Sequence, residues 1–316
     1  MPYPNSWYAV ATSDELRPNQ TRPLRFLGRE LVAFRGTDGA AHVLDAYCPH
    51  LGAHLGIGGR VENNTLVCPF HGWRFAGDGK CVEAPYAKKT PRCSVGTWQT
   101  VERNGSIWIW YHATGAAPDR EVPVMEEYGH SGWTSFKRFG WVIASHGQEM
   151  AENAVDSAHF KYVHGTLDVP EMEMEVLPDC FHVINRSRNR RFGMTVSTQV
   201  DVRVFMPGVS AIRFNEFAEI LLFATTTPVD EGHIQQRFFF TARKKGNPLF
   251  RSVVSRIFMN EVARQYEQDK PIWENKLHLT KPILCDGDGP IWTFRKWYQQ
   301  FYSAQPISGA TAAAAS

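Results

Sequence analysis

The sequence predicts an α+β protein, in which an N-terminal all-β domain precedes a C-terminal α+β domain built on an antiparallel sheet. Short β-prone runs interrupted by turn residues fill positions 24–110, and longer β-prone runs accompanied by two helical segments follow. Between them, TGAAPDREVPVME at 114–126 is rich in Pro, Gly and Ala without periodicity, which is typical of a linker. We therefore expect domains at 1–115 and 116–304 and a disordered tail at 305–316.

The N-terminal domain is predicted to be a series of β-hairpins. The runs LRFLG and ELVAF are followed by the turn Thr37-Asp38-Gly39 and then by AHVLD. Asn63-Asn64 and Gly77-Asp78-Gly79 supply two further tight turns. The run SIWIWYH then closes the domain with a strongly β-prone strand.

The C-terminal domain is predicted to contain two helices and several long strands. A helical stretch covers about 148–163, and the β-prone runs RFGMTVSTQVDVRVFM, EILLFATTTPV and HIQQRFFFTAR come after it. A second helix is predicted at about 249–267, because large apolar side chains recur there at helical spacing. The final run, ISGATAAAAS, has little to bury, which is why we expect disorder.

Composition and charge exclude several kinds of protein. The 316 residues are 43% hydrophobic, enough for two ordinary domains, and the net charge of +2 with interspersed signs predicts no nucleic-acid partner. The N-terminus lacks a signal-peptide pattern, and no run reaches the ~18 apolar residues of a membrane span. We therefore expect a cytoplasmic protein without a transmembrane segment.

Cysteine usage favours metal ligation over a disulfide framework, because the six cysteines are irregularly spaced in a long chain without an export signal. Four of them lie outside any motif and are predicted to be buried thiols: Cys81, Cys93, Cys180 and Cys285.

Two clusters of cysteine and histidine form the most informative motif. Cys48-Pro-His50 and Cys68-Pro-Phe-His71 supply two thiolates and two imidazoles on two loops. A structural zinc site can use the same four donors, but it usually pairs cysteine with cysteine and histidine with histidine. One of each in both clusters suits a [2Fe-2S] centre in which two cysteines bind one iron and two histidines the other.

This motif, with the spacing C-x-H-x17-C-x2-H and a following Gly72-Trp73, resembles the Rieske motif. Rieske subunits of respiratory complexes carry two further cysteines in these loops that form a disulfide, and this chain has Ala53 and Phe70 instead. The resemblance therefore points to the oxygenase or ferredoxin branch. A cluster alone transfers single electrons, so an electron carrier and an enzyme are both open at this point.

A second constellation comprises Asn153, Asp156, His159 and His164. The first three step around one broad face of a helix, but His159 and His164 would lie about 140° apart on a regular helix. A bulge, or a helix that ends just before Gly165, could bring both imidazoles onto one metal ion. Each residue alone has an ordinary structural interpretation, whereas the set indicates a metal site.

The segment resembles the Asn-x2-Asp-x2-His-x4-His signature of Rieske non-haem iron oxygenases. The resemblance implies a mononuclear Fe2+ held by His159, His164 and a later carboxylate, with coordination positions left for O2. QYEQDKPIWENK offers three acids downstream: Glu267, Asp269 and Glu274. Position on the predicted helix favours Asp269, just before a proline that would end or kink it.

The C-terminal runs QYEQDKPIWENK and PILCDGDGPIWTFRKWYQQFY resemble those of 3-ketosteroid 9α-hydroxylase oxygenase components, a group related to cholesterol 7-desaturases. The resemblance assigns the carboxylate ligand to Asp269 and implies a helix-grip-like catalytic domain.

The resemblance also implies a monooxygenase that takes electrons from a ferredoxin or a flavin-containing NAD(P)H reductase. Its expected substrates are O2 and a small apolar molecule, steroid-like or sterol-like, which is hydroxylated, desaturated or demethylated. The alternatives are a non-steroid aromatic or alicyclic substrate and a non-catalytic electron carrier.

The resemblance gives Asp156 a separate role. Similar oxygenases are homotrimers in which an Asp bridges a cluster histidine of one subunit to an iron histidine of the next. By position, Asp156 would link His71 of one chain to His159 of its neighbour; capping of a helix is the alternative. Asn153 has a catalytic and a structural interpretation in equal measure.

Overall fold

The computed structural model of the protein describes residues 2–191, 194–215, 218–245 and 248–303. The tail at 305–316, predicted to be disordered, lies outside these residues. In the part that is described, the chain forms four antiparallel sheets, four α-helices and two short 3₁₀ helices, Ser13–Glu15 and Gln299–Phe301. No helix in these ranges is both long and apolar enough to cross a membrane.

The strands that precede residue 112 form three small sheets. Their bounds are β1 Ser6–Thr12, β2 Thr21–Phe26, β3 Arg29–Arg35, β4 Ala41–Asp45, β5 Arg60–Glu62, β6 Thr65–Val67, β7 Arg74–Phe75, β8 Cys81–Glu83, β9 Thr97–Trp98, β10 Thr100–Arg103 and β11 Ser106–Tyr111. The strand orders are β1-β11-β10, β2-β3-β4-β9 and β5-β6-β7-β8. Consecutive strands pair in most places, as the predicted hairpins require.

The predicted turns have the backbone conformations that their residues favour. Asn63 and Asn64 join β5 to β6 with φ of 47° and 61°, a left-handed conformation that asparagine tolerates better than most residues. Gly79, with φ of 78°, completes the turn between β7 and β8. These two turns set the order of the β5-β6-β7-β8 sheet. The loops before β5 and between β6 and β7 carry the two cysteine and histidine clusters.

The rest of the chain forms one large antiparallel sheet with helices. The bounds are β12 Lys137–Ile143, α1 Gly147–Glu152, α2 Ala158–Tyr162, β13 Glu171–Val176, β14 Phe181–Arg191, β15 Met194–Met206, β16 Val209–Phe214, β17 Ile220–Pro228, β18 Ile234–Ala242, α3 Pro248–Asn275 and α4 Ile291–Tyr298. The strand order is β12-β18-β17-β16-β15-β14-β13, a meander with β12 added beside β18.

The large sheet is covered on both faces. Every residue of β17 is buried, because successive side chains of a strand point to opposite faces and both faces pack against other elements. On one face, Phe223 belongs to the same core as Trp108 of β11 and the aromatic residues of α4. On the other, Leu222 belongs to a core with Tyr266 of α3. The small β1-β11-β10 sheet thus shares a core with the large sheet, and the boundary near residue 115 stays a prediction.

Both predicted helices differ in extent from the structure. The stretch 148–163 is two helices, because the chain leaves α1 after Glu152 and enters α2 only at Ala158. In this break Val155 is fully buried, and its carbonyl oxygen lies so close to Gly289 that any side chain there would overlap it. The second helix, α3, continues beyond the predicted end at 267 and contains Pro271.

All six cysteines are free thiols in the structure. Cys180 is buried as predicted, and Cys81 and Cys93 are partly buried. Cys285 is exposed, so the prediction of a buried thiol was wrong there: it lies in an irregular segment between α3 and α4 with no core to enter.

Candidate metal centres and substrate cavity

The two cluster loops have the same backbone arrangement around their cysteines. The amide of Cys48 donates to the carbonyl of Ala53 at 2.9 Å, and the amide of Cys68 donates to the carbonyl of Trp73 at 2.8 Å. Each bond spans five residues. The two cysteines are therefore held at equivalent positions of equivalent loops.

A glycine closes each loop. The carbonyl of Cys48 accepts from Gly52 at 2.9 Å, and the carbonyl of Cys68 accepts from Gly72 at 3.1 Å. These glycines have φ of 74° and 72°, in the left-handed region that residues with a side chain rarely adopt. The sequence needs glycine here to turn the chain tightly around each cysteine.

The four side chains of the motif converge in pairs. The Cys48 and Cys68 thiols are buried; burial raises the pKa of Cys48 to about 11, and the neighbouring Cys68 thiol contributes to the rise. The rings of His50 and His71 lie 4.7 Å apart, and His50 stacks on Trp73 at 4.5 Å. The buried Nδ1 of His71 has no hydrogen-bond partner within the described chain. Two inner thiols and two outer imidazoles fit the donor set of a [2Fe-2S] centre with mixed ligands.

The break between α1 and α2 separates the residues of the second constellation. Asn153 follows the last residue of α1, Asp156 lies in the break, and His159 lies in the first turn of α2. His164 lies beyond the end of α2, just before Gly165, whose φ of 75° turns the chain away. This early end of the helix brings the rings of His159 and His164 to 5.1 Å, without a bulge.

Asp269 of α3 completes a group of three possible metal ligands. Its Oδ2 lies 3.2 Å from Nε2 of His164, and one donor atom each from His159, His164 and Asp269 lie within 4.8 Å of one another. Gln268 Oε1 lies 3.2 Å from Nδ1 of His164 and holds that ring in place. Both ring nitrogens of His159 are buried without a hydrogen-bond partner in the described chain. Donors left open in this way fit a metal ion.

The other two predicted acids point elsewhere. Glu267 accepts a 2.6 Å hydrogen bond from the indole of Trp141 on β12. Glu274 accepts a 3.4 Å bond from the amide of Ala144, which follows the same strand. Only Asp269 of the three belongs to the histidine group among the described residues.

Asp156 contacts His159 of its own chain. Its Oδ1 lies 3.7 Å from Nδ1 of His159 and 3.4 Å from the backbone nitrogen of the same residue. Burial raises the pKa of Asp156, but its interactions with the side chain and the backbone amide of His159 outweigh this effect, so the pKa lies below its usual value. The side chain is 43% exposed. It thus accepts the amide of His159 at the start of α2 and still presents a carboxylate at the surface.

A cavity of about 270 Å³ opens beside the histidine group, and His164, Asp269 and Asn153 form part of its wall. Its floor is the large sheet, because alternate residues of β15, β16, β17 and β18 face it. Apolar side chains dominate, and they are Val200, Val202, Val204, Val209, Ile212, Phe214, Leu222, Ala224 and Phe238 from the sheet, with Phe258, Val262, Tyr266 and Trp273 from α3. The β-prone runs named above therefore line an apolar cavity.

Comparison with known proteins decides the family. Residues 109–302 match the family described as the 3-ketosteroid 9alpha-hydroxylase C-terminal domain, and residues 6–99 match the Rieske [2Fe-2S] domain. The chain belongs to this family of Rieske oxygenases. The prediction of a [2Fe-2S] cluster is thereby confirmed, and the zinc-site and electron-carrier alternatives are set aside.

Curated relatives of this oxygenase include sterol and steroid enzymes. It is 32% identical to a cholesterol 7-desaturase of Caenorhabditis elegans, across 95% of this chain and 77% of the relative. It is also 32% identical to a probable 3-ketosteroid-9-alpha-monooxygenase oxygenase component of Rhodococcus rhodochrous, across 95% and 80%. As an oxygenase component, it depends on a separate redox protein for electrons.

Solved structures share the fold of this oxygenase at lower identity. NdmA of Pseudomonas putida CBB5 gives a TM-score of 0.76 at 20% identity, covering 93% of this chain and 88% of that one. Dicamba monooxygenase with non-heme iron and dicamba gives 0.70 at 19% identity, covering 95% and 98%. These likenesses support the predicted α+β class.

Sequence reasoning missed the residues that fasten α1 of this oxygenase in place. Glu152 forms a two-pronged ion pair with Arg295 of α4, with both distances 2.8 Å, and buried Glu149 contacts Lys276 and His278 beyond α3. Each partner lies more than a hundred residues from its acid. No local pattern signals such pairs, although two acids shortly before the predicted metal segment were a clue to a cationic partner.

Proposed function

We propose that this chain is the terminal oxygenase of a Rieske-type monooxygenase, with a mononuclear Fe2+ held by His159, His164 and Asp269. Its substrate would be a small apolar molecule of the steroid or sterol class, hydroxylated, desaturated or demethylated with O2. The observation that carries the proposal is the grouping of these three donors, two of which, His164 and Asp269, lie in the wall of an apolar cavity.

The donor set suits iron that reacts with O2. Two histidines and one carboxylate on one side of a metal leave other coordination positions open. His164 and Asp269 are well positioned for this, because Gln268 fixes one ring and α3 holds the carboxylate, of which 6% is exposed. A hydrogen-bond partner on the other ring nitrogen commonly orients a metal-binding histidine in this way.

When bound, the two metal groups would supply single electrons and a site for O2. The chain supplies the surroundings. The valine, leucine and phenylalanine side chains of the sheet would hold an apolar substrate against the histidine group and keep bulk water out. The sterol and steroid names of the relatives support that substrate class, because those relatives align with 95% of this chain.

We also propose a homotrimer in which Asp156 connects neighbouring subunits. The buried Nδ1 of His71, without a partner in the described chain, would bind the cluster and leave Nε2 for a neighbouring subunit, and Asp156 has an exposed carboxylate beside His159. A carboxylate between two imidazoles would orient both and provide a short path for an electron.

Exposed apolar side chains support two different contact surfaces. Leu51, Ile57 and Phe70 are exposed on the cluster loops, and Tyr162 and Leu277 are exposed near the histidine group. Two unlike patches on one chain favour a head-to-tail contact that closes into a ring. The electron donor would be a ferredoxin or a flavin-containing NAD(P)H reductase.

Replacement of Asp269 tests the proposal. In Asp269→Ala we expect product formation to fall at least ~100-fold, because the iron loses its only carboxylate ligand. The visible spectrum of the cluster should not change. Glu267→Gln is the matched control, since Glu267 lies on the opposite side of α3 and should retain activity. Full turnover by Asp269→Ala would refute the proposed iron site.

A further inference from the structure

One buried polar side chain in the cavity has an acceptor atom without a partner in the described part of the chain. Asn185 of β14 is 4% exposed and lines the cavity, and its Oδ1 makes no hydrogen bond within the described chain. A buried amide without a partner is costly, and native structures contain few of them. Asn185 pairs with Val200 across the sheet, so the amide stands in an otherwise apolar surface.

The neighbouring polar groups already have partners. Ser187 and Thr198, which also line the cavity, bond to each other through their hydroxyls at 2.6 Å. At another part of the cavity, Thr226 donates to Gln236 at 2.6 Å. Among the described wall residues, Asn185 is the one with a buried side-chain acceptor that lacks a hydrogen-bond partner.

The charges around the cavity favour a neutral ligand. No lysine or arginine belongs to the wall, as far as the structure describes it. The two wall acids are already engaged, Glu261 with Arg264 at 2.7 Å and Asp269 with His164 at 3.2 Å. Apart from the proposed iron, a carboxylate ligand would meet no cation in this wall, and burying an unpaired charge is strongly unfavourable.

We infer that Asn185 determines specificity by binding the one polar group of the substrate, an uncharged hydroxyl or ketone. This inference rests on the proposed function. An amide can donate to a ketone, and it can also accept from a hydroxyl, so it suits both groups. The apolar wall would take the remainder of the molecule, and the hydrogen bond would fix which carbon lies nearest to the histidine group.

Equilibrium dialysis of the holoenzyme with three matched ligands tests this inference. The ligands are 5α-androstan-3-one, 5α-androstan-3β-ol and 5α-androstane, which share one skeleton and differ in the oxygen. We expect the wild type to bind the ketone and the alcohol about tenfold more tightly than the hydrocarbon. In Asn185→Leu this preference should disappear, because the ketone and the alcohol should bind more weakly than they do to the wild type.

The matched control is Gln199→Leu, which removes an exposed amide from the neighbouring strand and should leave the preference unchanged. If Asn185→Leu does not retain the visible spectrum of the cluster, Asn185→Val replaces it. A preference that persists without Asn185, or a wild type without any preference, overturns the inference.

A smaller pair, 2-tetralone and tetralin, separates this inference from the proposed steroid class. If the androstanes fail to bind but the wild type prefers 2-tetralone and Asn185→Leu does not, Asn185 is supported and the steroid class is refuted. Tetralin-2-carboxylate tests the charge argument. It should bind at least tenfold more weakly than 2-tetralone, and tighter binding would overturn the claim of a neutral substrate.

Discussion

Asp269 and Glu267 lie two residues apart on α3 but contact different parts of the protein. At about 100° per residue, two positions correspond to 200°, so these side chains leave the helix on opposite sides. Glu267 meets the indole of Trp141, and Asp269 meets His164. The helix can therefore present one acid to the histidine group while the other fastens it to the edge strand β12.

His146 is the residue for which the pH dependence of stability is clearest. It precedes α1, its Nδ1 accepts a 3.2 Å bond from the amide of Gln148, and its Nε2 is buried without a partner among the described residues. Burial lowers the pKa of His146 to about 4. The folded protein thus holds it neutral at pH values where the unfolded chain, with a pKa of ~6.5, binds a proton.

Folding stability should consequently fall as the pH drops from about 6.5 towards 4. Between pH 7.5 and 5.5 the loss attributable to His146 is about 1.4 kcal/mol. His146→Asn keeps an acceptor at the start of α1 but cannot titrate. Between pH 7.5 and 5.5 this variant should therefore lose about 1.4 kcal/mol less folding stability than the wild type. Denaturant unfolding at both pH values measures the difference. Equal losses in the two proteins would contradict the assignment.

At the scale of elements, the early end of α2 makes the site. The two histidines would diverge on a continuous helix, but His164 lies beyond the last residue of α2 and so escapes the helical spacing. Tertiary contact helps to set the break before α2, because Val155 is buried and its carbonyl lies against Gly289, far along the chain. Local sequence therefore predicts a helix here, and packing divides it.

Pro271 lies inside α3, two residues after Asp269. Proline has no N–H for the carbonyl of Glu267 and clashes with it, at a cost of ~3 kcal/mol in a helix interior, and it bends the helix. We expect Pro271→Ala to raise the free energy of unfolding by about 1–3 kcal/mol. Mononuclear iron occupancy should fall, because straightening α3 shifts Asp269.

Thermal midpoints together with iron content per chain measure both effects. Asn260→Ala, an exposed replacement about three turns earlier on α3, is a control that should leave iron content unchanged. A Pro271→Ala protein with normal stability and normal iron would show that the proline is of no consequence for the site.

The sequence predicted the features that are determined by residues close together in the chain, and it did not predict contacts between distant segments. The turns at Asn63-Asn64 and Gly77-Asp78-Gly79, and the spacing of the cluster residues, are set within a few positions and were predicted. The pairing of Glu152 with Arg295 and the approach of Asp269 to His164 join distant segments. Position on a helix and a family resemblance could favour Asp269, but only the fold shows that it alone of three acids meets the histidines.

For the whole molecule, one sheet supports both the core and the cavity. Its β17 strand faces the N-terminal sheet through Phe223 and the cavity through Leu222. The N-terminal part and the large sheet are thus joined by a shared core. The cluster loops and the histidine group are each accompanied by exposed apolar side chains.

The proposed relay between subunits predicts complementation. His71→Ala should disable the cluster end and Asp269→Ala the iron end, so each variant alone should be inactive. Co-expressed chains that mix at random would place an intact cluster beside an intact iron at about a quarter of the contacts. We expect about a quarter of wild-type activity in the mixed assemblies. If electrons pass only within one chain, the mixture should be as inactive as its parts.

The most direct measurement is a crystal structure of the purified holoprotein with anomalous data collected on both sides of the iron absorption edge. The account predicts one iron bound by His159, His164 and Asp269, open towards the cavity beside Asn185, and two irons at the cysteine and histidine loops. No metal at the first position, a metal there that is not iron, or iron bound without Asp269 would contradict it.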